Sequence, residues 1–258
     1  MANPDGTPVW YELVTSDPDD AANFYGAVMG WKTGSFGGGE AAGADDYRIF
    51  NAADGAAAGL MKMPDGAPMR PGWVAYFGVA DVDAKVTQVT TLGGSVHMPA
   101  NDLPGVGRMA MVGDPQGAPF YLMRGDSPED SGAFGPKAVG HCSWNELHTT
   151  DQKAALGFYG SLLGWTTSGA MPMGAMGDYT FVTGTDGVPL GAMMDKTTKG
   201  PADWVFYFRL EDIDAAKEAI ESNGGIVREG PHEVPGGGHI IVASDPQGAA
   251  VGFVAGGI

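Results

Sequence analysis

The stretch Trp10-Tyr11-Glu12-Leu13-Val14-Thr15-Ser16-Asp17 returns 134 residues later as Trp144-Asn145-Glu146-Leu147-His148-Thr149-Thr150-Asp151. The same spacing relates Phe24-Tyr25-Gly26 to Phe158-Tyr159-Gly160 and Gly30-Trp31 to Gly164-Trp165. Further on, the spacing settles at 131. Trp73-Val74 answers Trp204-Val205, Asp81 answers Asp212, Gly93-Gly94 answers Gly224-Gly225, and Asp114-Pro115-Gln116-Gly117 answers Asp245-Pro246-Gln247-Gly248. An echo of this length is an internal duplication, and its period is too long for a stacked solenoid. Each copy is therefore a domain-sized unit, with three residues lost in intervening loops.

Within a copy, residues 8–14 are rich in aromatic and β-favouring types and predict a strand. Asp17-Pro18 opens a helix, with Asp17 as cap and Pro18 at the first helical position. Ala21, Phe24, Tyr25 and Val28 form its apolar stripe, and Gly30 closes it. Trp31 starts a second strand, and strands follow near 47–51 and 57–61. A second such unit begins at Gly72, with a helix capped by Asp81 and strands at about 106–112 and 118–123 joined by the Asp114-Pro115-Gln116-Gly117 turn. The plan is α+β: four β-α-β-β-β units, two in each copy. The expected boundaries are 5–124 and 140–258, joined by a polar Gly/Pro-rich linker at 125–139. The segments 35–45 and 168–177 read as paired loops, the second carrying Met171, Met173 and Met176.

Composition narrows the function classes. A formal charge of −17 opposes binding to nucleic acid or anionic lipid. No apolar run approaches the length of a membrane span. The first residues show no basic segment followed by an apolar one, and one cysteine, Cys142, allows no intramolecular disulfide. The expectation is a cytoplasmic protein, monomeric or homodimeric, whose partner is a small molecule.

This ordered set of motifs resembles the vicinal oxygen chelate superfamily, which includes glyoxalase I, bleomycin resistance proteins and extradiol dioxygenases. The doubled Trp-x-Glu-Leu-x-Thr-x-Asp is most similar to a tandem glyoxalase-like group, sometimes labelled hydroxylases, with a mycobacterial antigen among its members. The resemblance implies two tandem glyoxalase-like domains with curled, partly open barrels, each a cup for a small ligand. It also implies three metal-ligand positions per cup, which fall here on Trp10, Val74 and Tyr121 in the first copy and on Trp144, Val205 and Gly252 in the second. Trp, Val and Gly offer no suitable donor and Tyr is a rare one. No cofactor is expected, and a divalent metal only at a relocated site.

Residues two apart on a strand share a face. With Trp10 inward, Glu12 and Val14 face the first cup, as does Tyr76 beside Val74. The second cup receives Trp144, Glu146, His148 and Tyr207. Glu146 is the candidate general base or displaced ligand, assisted by His148 and Tyr207, with Glu12 and Tyr76 as first-copy equivalents. Trp10, Trp144 and Tyr121 are candidate ligand-binding residues. The bland alternatives are a buried Glu bonded to backbone or tyrosine, and a satisfied core histidine. His232, Glu233 and His239 could converge on a metal around Pro235, but they read as a loop, because spacing does not supply the set geometry of three or four converging donors. Two functions stay open. One is an enzyme of altered site, whether lyase, isomerase or oxygenase; the other is a metal-free protein that sequesters an aromatic or cationic compound.

Overall fold

The structure, a computed structural model, describes residues 3–35, 47–64, 66 and 69–257. The expected loop at 35–45 lies outside these residues apart from Ser35. The fold is mixed α+β, and four β-α-β-β-β modules follow one another in the chain. The first holds β1 (Pro8–Thr15), α1 (Pro18–Met29), β2 (Lys32–Ser35), β3 (Arg48–Asn51) and β4 (Ala56–Lys62). The second holds β5 (Gly72–Gly78), α2 (Val82–Thr91), β6 (Ser95–Leu103), β7 (Gly107–Gly113) and β8 (Pro119–Gly125). The third holds β9 (Cys142–Thr149), α3 (Gln152–Leu163), β10 (Thr166–Pro172), β11 (Asp178–Thr183) and β12 (Pro189–Asp195). The fourth holds β13 (Asp203–Arg209), α4 (Ile213–Ser222), β14 (Ile226–Val234), β15 (Gly238–Ser244) and β16 (Ala250–Gly256). The strands form two eight-stranded sheets, neither closed into a barrel. No helix among the described residues is long and apolar enough to cross a membrane.

The helices start where the sequence places them. Asp17, Asp81, Asp151 and Asp212 each cap a helix by accepting a backbone N–H, from Asp20, Ala84, Ala154 and Ala215 respectively. Each cap satisfies a helix-end donor that would otherwise go without a partner. Gly30 and Gly164 end α1 and α3 at φ 68° and 74°, a left-handed conformation that suits a residue without Cβ.

The chain packs as two compact units, and each draws on both halves of the sequence. The first unit comprises residues up to Val9, Val74–Ser131 and Trp144–Trp204. Its strands run β5-β8-β7-β6 and β10-β11-β12-β9. Its core centres on Tyr159 of α3, whose ring stacks on Trp165 at 5.2 Å and meets Phe120 and Trp204 edge-on or tilted. The fully buried Tyr159 hydroxyl donates to Asp114 Oδ2 at 3.2 Å. Asp114 Oδ1 accepts the backbone N–H groups of Gln116 and Ala118, both at 2.9 Å.

The second unit comprises Trp10–Trp73, Gly132–Ser143 and the chain from Val205 onward. Its strands run β2-β3-β4-β1 and β13-β16-β15-β14. It repeats the arrangement with new partners. Tyr25 of α1 is surrounded by Phe24, Trp31, Phe50 and Trp73. Its hydroxyl accepts from Trp73 Nε1 at 2.9 Å and donates to Asp245 Oδ2 at 3.2 Å. Asp245 Oδ1 accepts from Gln247 and Ala249. The repeated Phe-Tyr, Gly-Trp and Asp-Pro-Gln-Gly motifs thus form one buried lock, made twice. Burial raises both aspartates above the usual carboxylate range, and burial next to them raises both tyrosines well above the ordinary phenol value.

Two readings of the sequence are corrected. The segment expected as a loop at 168–177 is largely β10, paired antiparallel with β11 from Thr166↔Thr183 to Pro172↔Asp178, followed by a one-turn 3-10 helix at Gly174–Met176. A bulge between Thr167 and Gly169 interrupts its alternation, so the sequence pattern there is not strand-like. His232, Glu233 and His239 lie on β14 and β15 rather than on a loop, with Glu233 directly opposite His239. Among the described residues no group of three or more His, Cys, Asp or Glu is placed to hold a metal ion.

Candidate functional site

In the first unit, the register of β9 to β12 gathers several predicted residues on one sheet face. Ala192 of β12 stands beside Glu146 and Met194 beside His148. Phe181 of β11 stands beside Ala192, and Met171 of β10 beside Tyr179. Register partners on neighbouring strands point the same way. The face therefore carries Trp144, Glu146 and His148 along β9, with Phe181, Tyr179, Met194 and Met171 around them. Phe181 touches both Trp144 and Tyr179, with ring centroids 6.2 and 5.7 Å apart.

The polar groups on this face are joined end to end. Trp144 Nε1 donates to the Tyr179 hydroxyl at 2.7 Å, and that hydroxyl donates to Glu146 Oε2 at 2.5 Å. Glu146 Oε1 lies 2.6 Å from His148 Nε2. The Glu146 side chain is only 10% exposed, whereas that of His148 is 31% exposed. Burial by itself would lower the His148 pKa, yet the hydrogen bond and charge of Glu146, with Asp203 adding and Lys196 opposing, leave it raised. Lys196, its Nζ bound to Pro201 O at 2.6 Å and Asp203 Oδ1 at 3.1 Å, is itself largely buried.

The second unit holds the corresponding first-copy residues. Trp10 Nε1 donates to the Tyr47 hydroxyl at 3.0 Å, and Glu12 is buried beside Gly59 in the register of β1 and β4. A Cβ on Gly59 would fall 2.2 Å from that hydroxyl, so only glycine lets Tyr47 and Trp10 come so close to the strand. Val14 stands where the other copy has His148. Tyr207 is also in this unit, buried, and its ring lies over Gly252 of β16. In the first unit the equivalent pair is Tyr76 and Tyr121, stacked 4.2 Å apart at 5°.

Tyr179 and Tyr47 were not singled out by the sequence reading. Each follows its tryptophan at nearly equal distance, 35 and 37 residues, but the difference of two residues hides the correspondence.

The residues at the six positions that the resemblance implies as metal ligands are not a fit for a divalent metal. The two indoles donate to tyrosine hydroxyls, and an indole N–H has no lone pair to offer. Val74 and Val205 are apolar and buried. Tyr121 is stacked on Tyr76, and any side chain at Gly252 would meet the Tyr207 ring at 2.4 Å.

Comparison with known proteins agrees with this architecture. The sequence model of the Glyoxalase/Bleomycin resistance protein/Dioxygenase superfamily matches residues 7–122 and again 138–253. CFP32 of Mycobacterium tuberculosis, whose name gives it as a glyoxylase, is 36% identical over 246 residues, covering 95% of this chain and 92% of its own. The anthracycline biosynthesis protein DauV of a Streptomyces species is 30% identical over 263 residues, covering 96% and 93%. Among solved structures, the 2,3-dioxygenase LapB of Pseudomonas sp. KL28 superposes with a TM-score of 0.68 at 17% identity, covering all of this chain and 94% of LapB. The Mn(II)-bound glyoxalase of Novosphingobium aromaticivorans gives 0.66 at 18% identity, covering 98% and 83%. These likenesses carry fold alone, while the family match spans both halves. The chain belongs to the glyoxalase/bleomycin resistance protein/dioxygenase superfamily, as a tandem of two such domains.

Proposed function

We propose that the protein binds a small organic molecule on the β9–β12 face of the first unit and exchanges a proton with it through His148, with no divalent metal at the family's ligand positions. One observation carries this reading: Trp144, Tyr179, Glu146 and His148 form a single hydrogen-bonded chain that ends in a half-exposed imidazole. Sequence alone puts Glu146 first as base. The geometry favours a division of labour in which the nearly buried Glu146 orients and charges His148, and the imidazole meets the ligand. A histidine so held takes a proton from an acidic C–H or O–H and returns it, a role worth roughly 10²–10⁴ in rate. The surrounding Trp, Tyr, Phe and Met side chains suit an apolar, ring-containing body. The names of CFP32 and DauV support a small organic substrate. With Val14 at the His148 position, the first copy, including Glu12 and Tyr76, contributes binding rather than proton exchange. A soluble, cytoplasmic monomer or homodimer without nucleic-acid partners completes the proposal.

A second reading is capture without chemistry, as a sequestering protein. The Tyr76–Tyr121 stack favours it, because the half-buried Tyr121 ring, backed by the buried Tyr76, suits a planar or cationic guest.

The test is a screen of small carbonyl and phenolic compounds, read by the His148 imidazole resonances and by uptake of solvent deuterium into the bound compound. The proposal expects a ligand that shifts His148 and exchanges deuterium, with exchange lost and binding kept in His148→Gln. Binding without exchange in the wild type would favour sequestration. Exchange that survives His148→Gln would refute the role of the imidazole.

A further inference from the structure

We infer that Tyr179 is a positioning residue that, held by Trp144, tempers the Glu146 carboxylate and so sets the proton affinity of His148. The inference deepens the proposed role of His148 and rests on it for its functional meaning. Its logic is the direction of the hydrogen bonds. An indole N–H can only donate, so the Tyr179 oxygen must accept from Trp144, and its single proton goes to Glu146 Oε2. As a carboxylate Glu146 accepts on both oxygens, so Oε2 takes the Tyr179 proton and Oε1 takes the proton of His148 Nε2. A neutral imidazole carries one N–H, so with Nε2 protonated Nδ1 keeps its lone pair. Nδ1 has no hydrogen-bond partner among the described residues, and it is the atom left to meet a ligand.

The same chain tempers the base. Donation from Tyr179 spreads the charge of Glu146 and weakens its pull on the imidazolium, and the bond from Trp144 makes Tyr179 a better donor. The other charged groups acting on His148 are Asp203 at the start of β13, which favours the charged form, and Lys196 after β12, which disfavours it. Neither is altered by changes at Tyr179. A tyrosine serving only to fill space would leave the proton affinity unchanged when its hydroxyl is removed.

The experiment is a pH titration of the full-length protein by long-range ¹H–¹⁵N correlation spectroscopy, which distinguishes imidazole tautomers. The wild type, Tyr179→Phe and Trp144→Phe are compared. The wild type should show His148 with Nε2 protonated and Nδ1 bare above its midpoint. Tyr179→Phe should raise the midpoint by about one pH unit, a roughly tenfold gain in proton affinity, with Nε2 still the protonated nitrogen above it. Trp144→Phe should shift the midpoint in the same direction by less, and it decides the matter if Tyr179→Phe fails to fold. A wild-type midpoint retained in the folded variants, or a wild type with Nε2 bare, would overturn the inference. No ligand is needed, so this outcome is separate from failure of the proposed function, which is read from ligand-dependent exchange.

Discussion

Removing one buried oxygen, in Tyr25→Phe, tests the account of the motif lock. The change is nearly isosteric, so cavity formation contributes little, and the cost comes from the hydrogen bonds. The hydroxyl donates to Asp245 Oδ2 at 3.2 Å and accepts from Trp73 Nε1 at 2.9 Å, all of it buried. Losing a bond to a carboxyl costs about 1.5–3 kcal/mol, and leaving an indole N–H without a partner costs about 1–3 kcal/mol more. Relaxation of the neighbours returns part of this, so a loss of about 3 kcal/mol is expected. The effect also depends on pH. Burial raises the folded pKa of Asp245, so its contribution is fully present below the unfolded value near ~3.9 and is lost as pH rises through the folded one. The Tyr25 bond stabilises the ionised form; without it that loss deepens, and the gap between wild type and variant should widen with rising pH. Urea unfolding followed by tryptophan fluorescence at two pH values measures both quantities. A loss below about 1 kcal/mol with no pH dependence would refute the lock, and Tyr159→Phe, whose hydroxyl bonds Asp114, should repeat the result.

Two further outcomes follow from the geometry. The raised pKa of His148 means that its stabilising contribution is present below about pH 6.5 and is lost as pH rises through the folded value, so the stability difference between wild type and His148→Gln should shrink on going from pH 6 to pH 9. Gly252→Ala would place a Cβ 2.4–2.7 Å from the Tyr207 ring and should cost about 1–3 kcal/mol in urea unfolding, with Tyr207→Ala in the same chain relieving the clash.

Much of this molecule can be read from its letters because duplication prints each signal twice. The Asp17, Asp81, Asp151 and Asp212 caps and the Gly30 and Gly164 ends are local, and the structure places them as the sequence implies. Strand parity also sufficed to put Trp144, Glu146 and His148 on one face. What stayed hidden depends on contacts between distant segments. The Asp245 carboxyl meets a tyrosine 220 residues away, and nothing in a turn motif says which helix will pack on it. Spacing gives the order of the modules, but not that the compact units combine the second with the third and the first with the fourth. Tyr179 escaped because its partner Glu146 is 33 residues back across a segment of irregular pattern. That segment, β10, is a strand by pairing with β11 rather than by its own alternation.

The measurement that bears most directly on the central claim is proton exchange into a bound ligand by protein stripped of metal, with metal content verified by elemental analysis. The account predicts that a chelator leaves both the ligand-induced shift of His148 and the exchange unchanged, and that His148→Gln abolishes exchange. Exchange that disappears with the chelator and returns with added Mn²⁺ or Ni²⁺ would contradict it, and would move the chemistry from the imidazole to a metal.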